Sequence, residues 1–137
     1  MLKRILSVLA GLAIAFLIIM LNEKVVMKIN PIPVGIDIND TEAIKLNLKT
    51  FPLSFFMLLL VGYAIASFAA GIVSSLVSGR ENVQPALIAG GILTVGGIVN
   101  MILIPHPWWF MILNVLIYIP FAYRGFMIVK KKVSIDK

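Results

Sequence analysis

Four apolar runs dominate this sequence, each close to or above the roughly 20 residues that a helix needs to cross a hydrocarbon layer. They cover about residues 5–21, 51–77, 85–104 and 108–129. With one intervening loop, 22–50, they use up the 137 residues and leave no room among them for a separate soluble domain. Hydrophobic residues make up 61% and charged residues only 13%, too little charge to cover the surface of a soluble domain this size. The expected fold is therefore an all-α membrane protein: a single four-helix transmembrane domain, with a short helix in the loop.

Charge patterning sets an orientation. The net charge is +6, and its carriers gather at helix ends. Lys3, Arg4, Arg80, Arg124, Lys130, Lys131, Lys132 and Lys137 fall on one side of a four-span arrangement. The positive-inside rule makes that side cytoplasmic, with both termini on it. So placed, the basic residues serve topology and not nucleic acid, although Lys130, Lys131 and Lys132 could also meet lipid headgroups. A basic start before an apolar run also fits a signal peptide. No small-x-small cleavage site follows Leu21, so the first span is expected to stay as a helix. Phe51, Phe55, Phe56, Trp108, Trp109 and Phe110 form an outer aromatic belt, with Tyr118, Phe121 and Tyr123 toward the inner one.

The connections carry their own signals. Asn30-Pro31-Ile32-Pro33-Val34-Gly35 reads as extended or turning chain. Asn39 or Asp40 then caps a short helix reaching about Lys49; with Asn39 as the cap, Glu42 falls at N3 as in a capping box. Ile44 and Leu48 share one face of it, suited to rest on the membrane surface. Pro52 is tolerated in the first turn of the second span, and Gly79 is a natural stop. That span is long enough to tilt. Pro85 opens the third span, and Pro105-His106-Pro107 breaks the chain before the fourth. Pro120 removes a bond to the Leu116 carbonyl and predicts a kink.

Lipid gives helices no hydrophobic reason to associate, so close packing depends on small residues. The second span has two adjacent columns, Gly62, Ala66, Ala70, Ser74, Ser78 and Ser67, Gly71, Ser75, Gly79. The third span adds Gly90-Gly91 and Gly96-Gly97 with Ala86 and Thr94, and the first adds Ser7, Gly11 and Ala15. These faces serve either the bundle itself or a second protomer or another membrane protein.

The inventory for chemistry is thin. There is no cysteine, one histidine, and no acidic residue inside a predicted span, so neither a metal nor another cofactor is expected. Asp37-Ile38-Asn39-Asp40 starts like a calcium loop, but the glycine is missing and Glu42 comes too soon. His106 has no identifiable nucleophile to serve. Asn100 and Asn114 flank the proline turn at similar depth and are expected to form an amide–amide or amide–backbone bond, as helix glue or as a polar step in a permeation path. Arg124 is expected to snorkel. A small multidrug-type exporter needs a carboxylate in its first helix, a disulfide-forming four-helix enzyme needs cysteines, and a rhomboid-like protease needs a serine–histidine dyad. The predicted spans contain none of these.

Pro33-x-Gly35-x-Asp37-x-x-Asp40-x-Glu42-Ala43, then Pro52, Gly62, Phe68-x-x-Gly71, Asn100, Ile104-Pro105-His106-Pro107-Trp108, Pro120 and Gly125 together resemble small four-span bacterial inner-membrane proteins with a Pro-His-Pro-Trp turn. The resemblance covers most of the chain, implies a bacterial inner membrane and assigns no activity to any residue.

The expected function is non-enzymatic: an accessory or structural protein that binds the bilayer and other membrane components, as a homo-oligomer or with another membrane protein. The alternative is a small oligomeric channel or transporter, and an intramembrane enzyme using His106 ranks last. The expected binding site lies at the outer ends of the spans, among His106, Trp108, Trp109, Asp37 and Asp40, with Asn100 and Asn114 below. There the loop would dock over the proline turn, and a loop carboxylate from Asp37, Asp40 or Glu42 would raise the pKa of His106 and tighten the dock below neutral pH. A solvated loop is the competing picture.

Overall fold

The computed structural model describes residues 1–31, 34–37, 40–79 and 81–135, without the side chains of Lys49 and 131–135. The roles read for Pro33, Asn39, Arg80 and Lys137, and for the Lys131 and Lys132 side chains, fall outside the described residues. The helices are α1 (Leu2–Ile29), α2 (Thr41–Asn47), α3 (Leu53–Ser78), α4 (Gln84–Leu103) and α5 (Trp108–Ile135), with a 3-10 turn at Leu48–Thr50 before α3. Four of them, α1, α3, α4 and α5, are long and apolar enough to cross a membrane.

The largest departure from the sequence reading is in α1, which does not end near Leu21 but continues to Ile29. No helix breaker precedes Asn30-Pro31. The buried stripe Ser7, Gly11, Ala15 resumes at Val26, so the same face keeps meeting the bundle. Asn22 lies on that face and donates from Nδ2 to the Leu58 carbonyl of α3, at 3.3 Å. A polar residue that ends an apolar run does not end a helix when its hydrogen bond is made to a neighbouring helix. The predicted loop 22–50 therefore shrinks to the segment between Ile29 and Leu53.

Asp40 caps α2, its carboxylate accepting from the backbone N–H of Glu42 (3.0 Å) and Ala43 (3.2 Å). With Asp40 as the cap, Glu42 sits one position too early for a capping box and pairs with Lys45 instead, at 2.7 Å. Pro52 is the N-cap of α3 and not part of its first turn. Gly79 ends α3 at φ 112°, a left-handed conformation that favours glycine. Helix α5 remains helical through Pro120.

Helix α3 is the hub. It packs on α1, α5 and α4; α4 also touches α5 and α1; among the described residues α1 and α5 do not meet. The two small-residue columns explain this. Gly62, Ala66, Ala70 and Ser74 face α1, where a Cβ on Gly11 would come 2.8 Å from the Ala70 carbonyl oxygen. Ser67, Gly71 and Ser75 belong to the α5 side: a Cβ on Gly71 would collide with the backbone of Ala122, and one on Gly125 with that of Phe68. Ser67 donates its hydroxyl to the Tyr118 carbonyl across the same contact. As far as Ser74 and Ser75 both columns are thus covered by the chain's own helices, while Ser78 is half-buried and Gly79 exposed. On α4, Gly90 and Gly97 pack against α5, whereas Gly91 and Gly96 have nothing within 4 Å of a Cβ.

This difference is testable. Gly71→Ala or Gly125→Ala forces two backbones apart and is expected to cost about 1–3 kcal/mol, read as a lower Tm in mild detergent. Gly91→Ala is expected to leave Tm unchanged. Equal Tm in all three variants would remove the assignment of α3–α5 as a backbone contact.

Candidate functional site

The loop end of the bundle is closed by an aromatic cluster built on the proline turn. The His106 ring stacks on Phe110 with centroids 4.8 Å apart. Phe56 meets His106, Trp109 and Phe110 edge-on at 6.3, 5.9 and 5.6 Å. Phe110 is 1% exposed and is the centre of this group, a role the sequence did not single out. Trp109 joins the cluster, while Trp108 is 71% exposed and turns outward.

The loop docks on this cluster through apolar side chains. Leu48 and Phe51 are buried, Ile44 packs beside them, and Lys45 and Leu48 share a crevice with Pro105, His106 and Pro107. The Ile44–Leu48 face expected to rest on the membrane rests on the protein. Asp40 is exposed and occupied with its own helix, and Asp37 is exposed with its carbonyl accepting from Asp40 N. His106 Nδ1 lies 2.6 Å from the Ile104 carbonyl oxygen, which can only accept, so Nδ1 carries a hydrogen. Burial pushes the imidazole below its ordinary value, opposed by that hydrogen bond. The expected upward shift from a loop carboxylate is not found, because the docking face is apolar.

Beneath the cluster lies a polar group that the sequence reading assembled wrongly. Asn114 is 1% exposed and does not pair with Asn100. Its Oδ1 accepts from the Tyr118 hydroxyl at 2.9 Å, and its Nδ2 points at the Met101 sulfur at 3.5 Å. Helix α4 presents Met101 to α5, and Asn100 lies about 100° further round. Asn100 is exposed and faces α1 and α3 instead. There it shares two cavities with Glu23 and Tyr63.

Glu23 was not among the expected site residues. It belongs to the last two turns of α1, about 9 Å from the helix end at Ile29. The half-buried carboxylate accepts from the Tyr63 hydroxyl at 3.4 Å. The Tyr63 ring stacks on Tyr118 with centroids 6.2 Å apart. A cavity of about 250 Å³ extends from Glu23, Tyr63 and Asn100 toward the docked loop, bordered by Leu48, Phe51 and His106. A second, of about 190 Å³, extends from the same three residues between α1 and α4, past Phe16, Ile19, Ile92 and Gly96. Phe16, Ile92, Gly96 and Asn100 are exposed, so this second space opens sideways. Residues 5–21 hold no carboxylate, but the helix that forms, Leu2–Ile29, carries Glu23. The usable signal was the α1 stripe: continued by helical steps beyond Ala15, it reaches Asn22 and Val26 and carries Glu23 with it.

Among the described residues no group of three or more histidine, cysteine or acidic side chains is placed to hold a metal ion. The fold and site define an all-helical, multi-pass membrane protein with a polar waist in an apolar bundle. No known protein family, curated protein or solved structure matches the chain.

The docked loop yields a pH prediction. The docked histidine prefers to be neutral, so an undocked one, with the ordinary value of 6.5, takes up a proton first as pH falls. Docking is strongest above that value and weakens as pH drops below it, the reverse of the expectation from sequence. Proteolysis of the loop in detergent is therefore expected to accelerate on acidification, and His106→Gln to flatten that response. Greater protection at acid pH would contradict it.

Proposed function

We propose that this is a non-enzymatic membrane protein that binds an amphiphilic component of the bilayer in the cleft between α1 and α4. One observation carries the reading: a carboxylate, a phenol and an amide converge on a space whose remaining walls are apolar and which opens on the side of the bundle. Ligand sites combine apolar walls with a few convergent polar groups in this way. Gly96 supports it further. A glycine in a membrane helix usually permits close packing, yet a Cβ here would touch nothing within 4 Å. Its missing side chain leaves room in the cleft.

Close contacts at Gly62 and Gly71 within the bundle support the cleft, rather than these α3 columns, as the binding surface. Gly96→Leu is expected to fill the cleft while preserving the fold. Native mass spectrometry of protein extracted in mild detergent should detect a bound amphiphile on the wild type, lost in Gly96→Leu at unchanged Tm. An identical spectrum for both, or no adduct on the wild type, would overturn the reading.

Transport is the second reading, and Glu23 is the observation that favours it, because ionisable groups inside membrane helices commonly mark pathways. Uptake of a lipophilic cation into proteoliposomes above protein-free vesicles, abolished by Glu23→Gln, would favour transport over binding alone.

The membrane is a bacterial inner membrane in this proposal, with both termini cytoplasmic. The antiparallel helices bring the N-terminus and the α3–α4 turn to one end, where a Cβ on Gly79 would lie 3.8 Å from Lys3 Nζ. Lys3, Arg4 and Lys130 share that end, as the positive-inside rule asks of the cytoplasmic side. Cysteines at Thr41 and Lys130 are expected to react with an impermeant thiol reagent from opposite sides; labelling of both from outside would reverse the assignment.

A further inference from the structure

We propose that the cleft selects a single-chain amphiphile with a primary ammonium head, held against Glu23. This rests on the amphiphile reading above and adds the chemistry of the head. Glu23 sits on a helix of membrane length, beside Tyr63, which is buried. Among the described residues the carboxylate has a phenol hydroxyl at 3.4 Å and no lysine or arginine nitrogen within 4 Å; the ion pair found there is Lys45–Glu42, in the loop. A carboxylate partly removed from water is stabilised by a cation, and among the described residues none stands beside it. The cleft therefore presents a counter-charge for something that enters from outside.

The neighbouring groups narrow the choice. An ammonium carries three N–H donors and no acceptor. The residues around the waist supply oxygen acceptors, among them the Glu23 carboxylate, the Asn100 amide oxygen, and the Tyr63 oxygen, whose own hydrogen is directed to Glu23. Tyr118 adds an aromatic wall, on which a cation is favoured. An alcohol head offers one donor, and a carboxylate or phosphate head would meet the like charge of Glu23. The tail runs past Phe16, Ile19 and Ile92. At about 190 Å³ that space has room for one alkyl chain, which leaves it sideways past the exposed Phe16 and Ile92.

The test uses the full-length protein in a non-ionic maltoside, titrated calorimetrically with octylamine, octanol and octanoate. Octylamine is expected to bind saturably and at least ten-fold more tightly than octanol, with octanoate weakest. Glu23→Gln keeps a partner for Tyr63 and has nearly the same shape. It is expected to reduce octylamine to the affinity of octanol while octanol itself is unchanged. Gly96→Leu is expected to abolish binding of both at unchanged Tm. Equal affinity for octylamine and octanol in the wild type overturns the ammonium head and leaves the amphiphile site standing. So does octylamine binding that survives Glu23→Gln. Saturable binding of none of the three, or binding untouched by Gly96→Leu, overturns the amphiphile site itself.

Discussion

In a lipid environment apolar side chains gain nothing by leaving one hydrocarbon for another, so everything in this bundle depends on how closely α3 lets its neighbours approach. Its two columns of glycine, alanine and serine bring α1 and α5 to backbone contact on adjacent faces. Dispersion and packing then hold the three helices, and Ser67 adds a hydrogen bond to the Tyr118 carbonyl at the α5 seam. Helix α4 is attached differently: it packs on α5 through Gly90 and Gly97 and leaves its Gly91 and Gly96 unfilled. The asymmetry between the tightly joined α1–α3–α5 unit and the more open α1–α4 side is what creates the cleft.

The polar groups follow from the same geometry. Tyr63 comes one residue after Gly62, so the tight α1–α3 seam sets the distance between its hydroxyl and Glu23. The seam also keeps α1 helical beyond its apolar run, because Asn22 finds a carbonyl on α3 where water would otherwise be needed. On the other side, Tyr118 satisfies Asn114, and its stacking on Tyr63 joins the two halves of the waist. The loop end is sealed by apolar contact: Leu48 and Phe51 bury themselves over the His106–Phe110 stack. Burial lowers the pKa of His106, which acts here as a packing ring with one directed hydrogen bond.

Much of the architecture was legible without coordinates. The four apolar runs, the glycine stop at Gly79, the break at Pro105-His106-Pro107 and the capped helix after Asp40 each depend on local properties: transfer of side chains to hydrocarbon, permitted backbone angles, and hydrogen bonds within a few residues. The two columns of α3 were legible for the same reason, since helical spacing alone puts their members on common faces.

What the residues alone could not supply was which face meets which. Asn100 and Asn114 lie at similar depths, but only the rotation of α4 about its axis decides that Met101 reaches Asn114 and that Asn100 turns to Glu23. Likewise Gly90 and Gly91, or Gly96 and Gly97, look equivalent in the sequence, and packing separates the glycines that meet a neighbour from those that leave space. Glu23 marks the boundary most clearly. Hydropathy ends the first run at Leu21, because it scores each side chain against lipid or water. The helix continues because Asn22 and Glu23 are solvated by Leu58 and Tyr63 of another helix, a partner that exists only once the bundle has formed. The sequence by itself determined the number of helices, their breaks and their small-residue faces; only tertiary structure decided where the first helix ends and which polar groups face the cleft.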